Sequence, residues 1–382
     1  MFEYFRSYPS NLAMALALET GGVMSEIDDV CRPFRDIPDN EADRVTLDWA
    51  KGWRFLGEKL DRQAARDEAG NHRISAARKY LRGALYYMMA ERPLAPADPL
   101  KLETYRRGLD AFRKGIELSP NAHQLVEIPY AGSSLPAIFV PAATPGPAPC
   151  VIQFNGLDSI KEFLYLTAAD DWSRRGLACL FVDQPGTGGA LRLNRLPAEI
   201  ETERPAAACI DYLEKRAEVD PSRIGIYGIS LGGYYAPRAA AFEKRLKFCV
   251  AHGAVFDIDE VLALRARQGE AYAVSVPHFD DHIKWVLGCT TREEVAAKMH
   301  RFTLKGGVAG KITCPLLIVH GRDDRQVPVD QAHKTYEAAV NSSSCKLVVL
   351  GPEDGGVEHC SVDNLHLATD LMADWILDTV RS

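Results

Sequence analysis

Three features are missing from this chain. It has no Cys-x-x-Cys pair, no long basic run, and no apolar stretch approaching the roughly eighteen uninterrupted residues that a membrane span needs. Nine cysteines, an odd number, stand singly, which argues against a disulfide framework or a zinc site and for reduced, buried thiols in an intracellular, cytoplasmic protein. A net charge of -7 makes nucleic acid and anionic membrane surfaces unexpected partners. The run Leu12 to Leu18 has the length of a short signal-peptide core. Glu3 before it, an aromatic rather than basic leading segment, and Glu19 directly after it count against that role.

What remains is the composition of an ordinary soluble globular protein, 47% hydrophobic and 25% charged, and 382 residues leave room for two domains. The rhythm changes near residue 122. From Asp39 to Leu118 strong helix formers dominate. Apolar residues recur at three and four (Leu47, Ala50, Phe55, Leu56; Ile74, Ala77, Leu81, Leu85, Met88), and Pro93, Pro96 and Pro99 cut the pattern into separate helices. From His123 onward short β-runs alternate with helices: Gln124 to Ile128, Pro136 to Val140, Cys150 to Phe154, Ala178 to Val182, Ile224 to Tyr227, Lys247 to Ala251, Leu316 to Val319 and Lys346 to Leu350. The division expected is a helical domain over 1–122 and an α/β domain over 123–382, with residues 256–313 as a helical insertion in which Arg292 to His300 is the clearest helix. The Pro-rich segment Pro141 to Pro147 reads as a hairpin-like excursion between the second and third strands.

The most informative stretch is Gly228-Ile229-Ser230-Leu231-Gly232. The strand Arg223 to Tyr227 runs straight into it and a helix-forming segment follows, which is the context of a nucleophile elbow, where a sharp turn lifts a serine hydroxyl clear of a sheet edge. Next in the chain come the buried-strand pattern Pro315 to Gly321 and then Arg322-Asp323-Asp324-Arg325-Gln326-Val327-Pro328. The spacing G-x-x-D-x-x-V-P assigns the acid to Asp324, with Asp323 as the alternative. After the last strand a glycine-rich and acidic loop leads to His359. Of the ten histidines this is the one on a flexible loop after the final strand. His320 precedes the acid, His366 is placed about a turn and a half into the last helix, His252 is a possible pocket lining, and the others read as surface or packing residues. Ser, Asp, His is the chain order of an α/β-hydrolase triad. A carbonyl substrate also needs oxyanion donors. These are assigned to the backbone N–H of Leu231 and, in the loop Asn155-Gly156-Leu157-Asp158, to that of Leu157. Cys360, beside His359, either tunes the pocket or simply packs. The expected fold is an α/β-hydrolase core with an eight-stranded, mostly parallel sheet, carrying an N-terminal helical cap. That cap and the insertion are expected to roof the site. The aromatic and thioether side chains of the cap, among them Trp49, Trp53, Tyr86, Tyr87 and Met88, would suit an aromatic ligand or serve helix packing.

Residues 155–162 (Asn-Gly-Leu-Asp-Ser-Ile-Lys-Glu), Val182-Asp183-Gln184-Pro185-Gly186-Thr187-Gly188, the elbow, the triad loops and the closing Met372-Ala373-Asp374-Trp375 together resemble one group of α/β-hydrolases. This is the 2,6-dihydroxypseudooxynicotine hydrolase group, to which the fungal heptaketide hydrolases of pigment synthesis are also similar. The resemblance implies a helical domain before the core, a homodimer, and hydrolysis of a carbon–carbon bond next to a ketone in a small aromatic or polyketide-like substrate, with no metal or organic cofactor. It also implies a further carboxylate near the site, for which Asp257, Asp259 and Glu260 are candidates. An ester or lactone hydrolase is the alternative reading. A prolyl-oligopeptidase-type peptidase is disfavoured, because a helical N-terminal pattern cannot form propeller blades. A hydrolase-fold binding protein without catalysis would need no triad.

Overall fold

The computed structural model describes residues 1–37, 42–157, 159–268 and 277–381. These fall into two compact units, one comprising Met1–Gln124 together with a short stretch ending at Ile283, and one comprising the remainder.

The first unit is helical: α1 (Tyr8–Glu19), α2 (Met24–Cys31), α3 (Ala42–Ala69), α4 (Arg73–Glu91) and α5 (Pro99–Leu118). The boundaries follow local chemistry. Ser7 caps α1 with a proline in its first turn, and the Asp98 carboxylate caps α5 by accepting the Leu100 N–H ahead of Pro99 at N1. The run Leu12 to Leu18 lies within α1, and Leu12, Met14 and Ala17 are buried. The apolar register of α3 differs from the sequence reading, since Leu47, Phe55 and, at the start of α4, Ile74 are exposed. The buried stripe of α3 runs through Trp49, Trp53, Leu56 and Leu60, where Trp49 meets Phe5 and Phe34 and Trp53 meets Tyr86 of α4, so that both large rings are buried. Trp53 stacks on Trp49 at 6.1 Å and on Tyr86 at 5.6 Å. Tyr86 and Tyr87 carry their hydroxyls to Glu26 and Asp61 at 2.7 Å. Helix packing accounts for these aromatics.

The second unit is built on eight strands in the order β1-β2-β4-β3-β5-β6-β7-β8. They are β1 (Gln124–Tyr130), β2 (Ser133–Val140), β3 (Ala148–Phe154), β4 (Ala178–Val182), β5 (Val219–Ile229), β6 (Cys249–His252), β7 (Leu316–Gly321) and β8 (Cys345–Leu350). All eight sequence-predicted β-runs are present. β1 turns into β2 through Ala131 and Gly132, both at positive φ, as a two-residue hairpin requires. β2 pairs antiparallel with β4, and β3 to β8 are parallel. The segment from Pro141 to Pro147 is therefore not hairpin-like, because β4 lies between β2 and β3. It crosses one strand position and is fastened to the end of the following helix, where Ala143 N donates to Ser173 O at 2.9 Å.

The connections are α6 (Lys161–Arg174), α7 (Gly188–Arg192), α8 (Glu203–Leu213), α9 (Gly232–Phe242), α10 (Ile258–Gln268), α11 (Phe279–Leu287), α12 (Arg292–Met299), α13 (Asp330–Ala338) and α14 (Leu365–Arg381). α12 opens with a capping box between Thr291 and Glu294, which explains why it was the clearest helix of its region. No described helix is long and apolar enough to cross a membrane.

The parallel register positions the site. Phe154 of β3 stands opposite Val182 of β4 and Gly228 of β5, Ile229 opposite His252 of β6, and His252 opposite Val319 of β7. The loops that leave the carboxyl ends of these strands therefore emerge side by side, where ligands bind in open α/β sheets.

Candidate active site

Ser230 stands between the end of β5 and the start of α9 with φ +58, a left-handed backbone that costs a serine energy and is tolerated only where the surroundings enforce it. They do so by hydrogen bonds and by crowding. Ser230 N donates to His252 O at 2.8 Å, and Gly233 N donates to Ser230 O at 2.7 Å. A Cβ on Gly228 would lie 2.0 Å from Gly232 O, and one on Gly156 would lie 2.7 Å from Ser230 Cβ. The elbow thus needs glycine within its own turn, and the loop after β3 comes to the serine as bare backbone.

The hydroxyl meets a histidine and the histidine meets an acid. Ser230 Oγ is 2.8 Å from His359 Nε2, and His359 Nδ1 is 2.8 Å from Asp324 Oδ2 and 3.0 Å from Oδ1. A carboxylate only accepts, so Nδ1 carries a proton toward Asp324, and in the neutral ring Nε2 is then the acceptor for the serine hydroxyl. Asp324 is fully buried. Its Oδ1 takes the N–H groups of Gln326 at 2.7 Å and Val327 at 2.8 Å, which is why the acid falls at the start of the D-x-x-V-P turn. Burial on its own would raise the Asp324 pKa, but the charge and hydrogen bond of His359, with lesser help from His320 and Val327 N–H, hold it below the usual value. Burial likewise disfavours the charged form of His359, and the Asp324 carboxylate, with the Cys360 thiol, overrides that and raises its pKa. Asp323 is half exposed beside Arg322.

His359 does not lie on a loose loop. It begins a 3-10 turn, His359–Ser361, in which Cys360 and Ser361 both have positive φ. Cys360 is buried, with Sγ 3.5 Å from His359 Nε2 and 3.7 Å from His252 O, so it packs beneath the imidazole. Two more histidines support the site. His252 is buried rather than lining a pocket, 3.2 Å from both Tyr227 OH and Ser361 Oγ, and it joins the sheet floor to the histidine turn. His320 Nε2 donates to Val327 O at 2.9 Å and lies 3.5 Å from Asp324 Oδ2. Burial pushes the His252 pKa down to about 3, and His320 is lowered for the same reason. His366 lies in the first turn of α14, nearer the helix start than the sequence reading placed it.

The two distinctive segments after β3 and β4 are fastened to each other. Asn155 N donates to Gln184 Oε1 at 3.1 Å, and Gln184 Nε2 donates to Asn155 O at 2.8 Å. Buried Lys161 Nζ bridges Glu162 at 2.5 Å and Asp183 at 2.9 Å, while the Lys161 and Gly189 N–H groups both donate to Asp183 at 2.8 Å. Leu231 is the N-cap of α9, a position with helix-free N–H groups around it. Leu157 follows Gly156, which faces the serine, and Asp158 lies outside the described residues. None of this polar clasp was assigned from the sequence. Its signal was the clustering of Asn, Lys, Glu, Asp and Gln directly after strands that are wholly apolar or buried.

The three candidates for a further carboxylate each have charged or polar partners. Asp257 accepts Glu260 N and pairs with Lys305 at 3.3 Å, Asp259 meets His300, and Glu260 sits between Lys305 and Lys334 at 2.7 Å each. Those two lysines, with Gln331, hold the Glu260 pKa down to about 2.

The sheet order, the elbow and the loops define the α/β-hydrolase fold, and comparison with known proteins agrees. The chain belongs to the esterase FrsA-like family, whose model matches residues 42–381. It is 29% identical to a 20-hydroxy-prefusarin hydrolase of Gibberella moniliformis, over 87% of each chain. It is also 29% identical to a 2,6-dihydropseudooxynicotine hydrolase of Paenarthrobacter nicotinovorans, over 87% of this chain and 85% of that one. The crystal structure of a 2,6-dihydroxy-pseudo-oxynicotine hydrolase matches with a TM-score of 0.79 at 27% identity, covering 96% of this chain and 95% of that chain. The protein is a hydrolase.

Neutral burial of His252 and His320 has a cost at low pH. Their folded pKa values lie below the unfolded value of 6.5, so the unfolded chain takes up protons that the fold refuses, and stability falls as pH drops through and below 6.5. His359, raised in the fold, contributes stability that is complete below 6.5 and is lost only as pH rises, so it does not oppose this slope. Denaturant unfolding at pH 6.5 and pH 4.5 should show a loss of roughly 2 kcal/mol from His252, with His320 adding to it in the same direction. Equal stability at the two values would refute their neutral burial.

Proposed function

We propose that Ser230, His359 and Asp324 form a nucleophilic triad that hydrolyses a carbon–carbon bond next to a ketone in a small aromatic or polyketide-like substrate. The 2.8 Å contacts of His359 with Ser230 on one side and Asp324 on the other carry the reading, because each polar atom has the partner its role requires. Ser230 Oγ adds to the ketone carbon and its proton passes to His359 Nε2. Asp324 stabilises the imidazolium so formed. The N–H groups of Leu231 and Leu157 receive the oxyanion. Collapse breaks the carbon–carbon bond, its electron pair leaves with the ring or enolate carbon, and His359 returns the proton to that carbon. Water, deprotonated by the same histidine, then attacks the acyl-serine and releases a carboxylic acid and free Ser230. The resemblance of residues 155–162 and 182–188 to the 2,6-dihydroxypseudooxynicotine hydrolase group supports carbon–carbon cleavage, and the similarity to a 20-hydroxy-prefusarin hydrolase and a 2,6-dihydropseudooxynicotine hydrolase supports a small-molecule substrate. A homodimer, and a part for the helical unit in that pairing or in binding the remote end of the substrate, belong to the same reading.

The family description, an esterase, favours a second reading in which the same steps release an alkoxide from an aromatic ester. Product analysis after incubation with aryl ketones, β-diketones and aryl esters separates the two. A carboxylic acid formed together with a ketone or an unsubstituted ring is expected, and turnover of esters alone would leave the second reading standing.

Ser230→Ala should lower turnover by about three orders of magnitude or more with the fold retained, and should abolish labelling by a fluorophosphonate probe. Retention of a tenth of the activity would mean that the elbow serine is not the nucleophile.

Asp324→Asn should cripple kcat whereas Asp323→Asn should leave it within about twofold, since only the former faces the imidazole. In the wild type the acid limb of kcat/KM should lie above pH 6.5, because activity needs neutral His359 and Asp324 raises its pKa. The opposite ranking of the two variants, or an acid limb below 6.5, would count against this acid.

A further inference from the structure

The residue after the acid and the residue before the base also face each other. Arg325 follows Asp324 and Glu358 precedes His359. Arg325 Nη2 lies 2.6 Å from Glu358 Oε1 and its Nε lies 3.2 Å from Oε2, a fork-to-fork pair in which Glu358 is buried and Arg325 about a third exposed. Two adjacent residues on one loop thus grip two adjacent residues on the other, once through Asp324 and His359 and once through Arg325 and Glu358. The histidine loop needs holding. Directly after Glu358 the chain enters a turn with two non-glycine residues at positive φ, Cys360 and Ser361, and such backbone persists only where neighbours enforce it. The backbone is anchored nearby as well, with Asp323 N donating to Val357 O at 3.0 Å and the Asp363 carboxylate accepting Val357 N and Glu358 N at 3.1 and 2.9 Å. Those bonds fix the path of the loop. The ion pair joins side chains of the two loops next to the Asp324–His359 contact.

We infer that the Arg325–Glu358 pair is a latch that sets the approach of His359 to Asp324, with both members acting as positioning residues; this rests on the triad reading above. The pair gives planar, bidentate geometry, which a single point contact does not. A displacement near 1 Å at a catalytic group costs on the order of a hundredfold in rate, so a loop contact of small worth to the fold can weigh heavily on the chemistry.

The pair also carries two opposite charges on the residues that adjoin Asp324 and His359 in the chain. The groups around His359 are Ser230, Asp324 and Cys360 in contact, the buried histidines His252 and His320, and the charged Arg325, Glu358, Asp363, Asp323 and Arg322 on the two loops. Removing Arg325 leaves the Glu358 carboxylate uncompensated and favours imidazolium. Removing Glu358 leaves the guanidinium uncompensated and disfavours it.

The test is the rate of fluorophosphonate labelling of Ser230 in the full chain, measured against pH for Arg325→Gln, Glu358→Gln and the double variant, with Ser230→Ala as control. Each single variant should label roughly ten- to a hundredfold more slowly. The double variant should be no slower than the slower single one, because the second substitution removes a contact already lost. The acid limb should move up in Arg325→Gln, down in Glu358→Gln, each by roughly half a unit, and return in the double variant. Arg325→Lys, which keeps the charge without the fork, should fall between wild type and Arg325→Gln, and it serves as the single variant if the glutamine form does not fold. Single variants within twofold of wild type, losses that multiply in the double variant, or limbs that move in the same direction would overturn the latch while an unlabelled Ser230→Ala left the triad intact. Labelling of Ser230→Ala at the wild-type rate would overturn the triad reading and the latch with it.

Discussion

A serine held at φ +58 between a strand and a helix organises everything near it. The left-handed residue reverses the chain so tightly that strand end and helix start share one volume, and a Cβ on Gly228 has no place there. The same tightness exposes the hydroxyl, since the backbone folds away beneath it. The start of α9 closes back on the same turn, since Gly233 N and Tyr234 N donate to Ser230 O and Leu231 O. The parallel register of β3, β4 and β5 then does the rest, because Phe154, Val182 and Gly228 end in one row and their loops have nowhere to go but beside the elbow.

The electrostatics depend on burial in two opposite ways. Asp324 is stripped of water and stays ionised because backbone N–H groups and the His359 ring replace the solvent. His252 and His320, equally buried, have no adjacent carboxylate strong enough to offset desolvation and remain neutral. A neutral His320 near Asp324 donates to a backbone carbonyl, so it adds a dipole and not a competing charge, and the His359 ring is left as the one hydrogen-bonded to the carboxylate. That division allows three histidines to share one region with one of them, His359, paired to the carboxylate.

Much of this was legible in the sequence because it rests on local patterns. All eight β-runs are strands, and the central ones, β3 to β7, carry the mostly apolar signature of parallel strands buried on both faces. The elbow was legible because its steric demands select small residues at fixed spacing. Asp324 was separable from Asp323 because its carboxylate receives the N–H groups of residues two and three further on, a constraint that the turn sequence displays. The strand order was not legible at Pro141 to Pro147, because whether β2 pairs with β3 or β4 is decided by which edge of the sheet is open, and this leaves no mark in the connector itself. The buried face of α3 was misjudged because counting apolar residues gives Leu47 and Phe55 the same weight as Trp49 and Trp53, whereas area burial favours the indoles. The clasp of Lys161, Glu162 and Asp183 was also hidden, since charges in a loop read as solvated until the fold encloses them.

That clasp explains why polar side chains follow two buried strands. Glu162 and Asp183 are fully buried and together carry more negative charge than Lys161 can cancel, and burial accordingly raises the Glu162 pKa. A cluster so expensive to desolvate stabilises the fold less than apolar residues of the same volume would. What it supplies is geometry: the Asp183 carboxylate takes the Lys161 N–H from one loop and the Gly189 N–H from its own, so neither loop can shift without leaving a buried charge unpaired. The loop fixed in this way carries Gly156 against Ser230, with the proposed oxyanion donor Leu157 next in the chain. Rigidity there matters more for a carbon leaving group than for an alkoxide. The carbanion-like group departs slowly, and the tetrahedral intermediate must be held for longer against collapse back to the ketone.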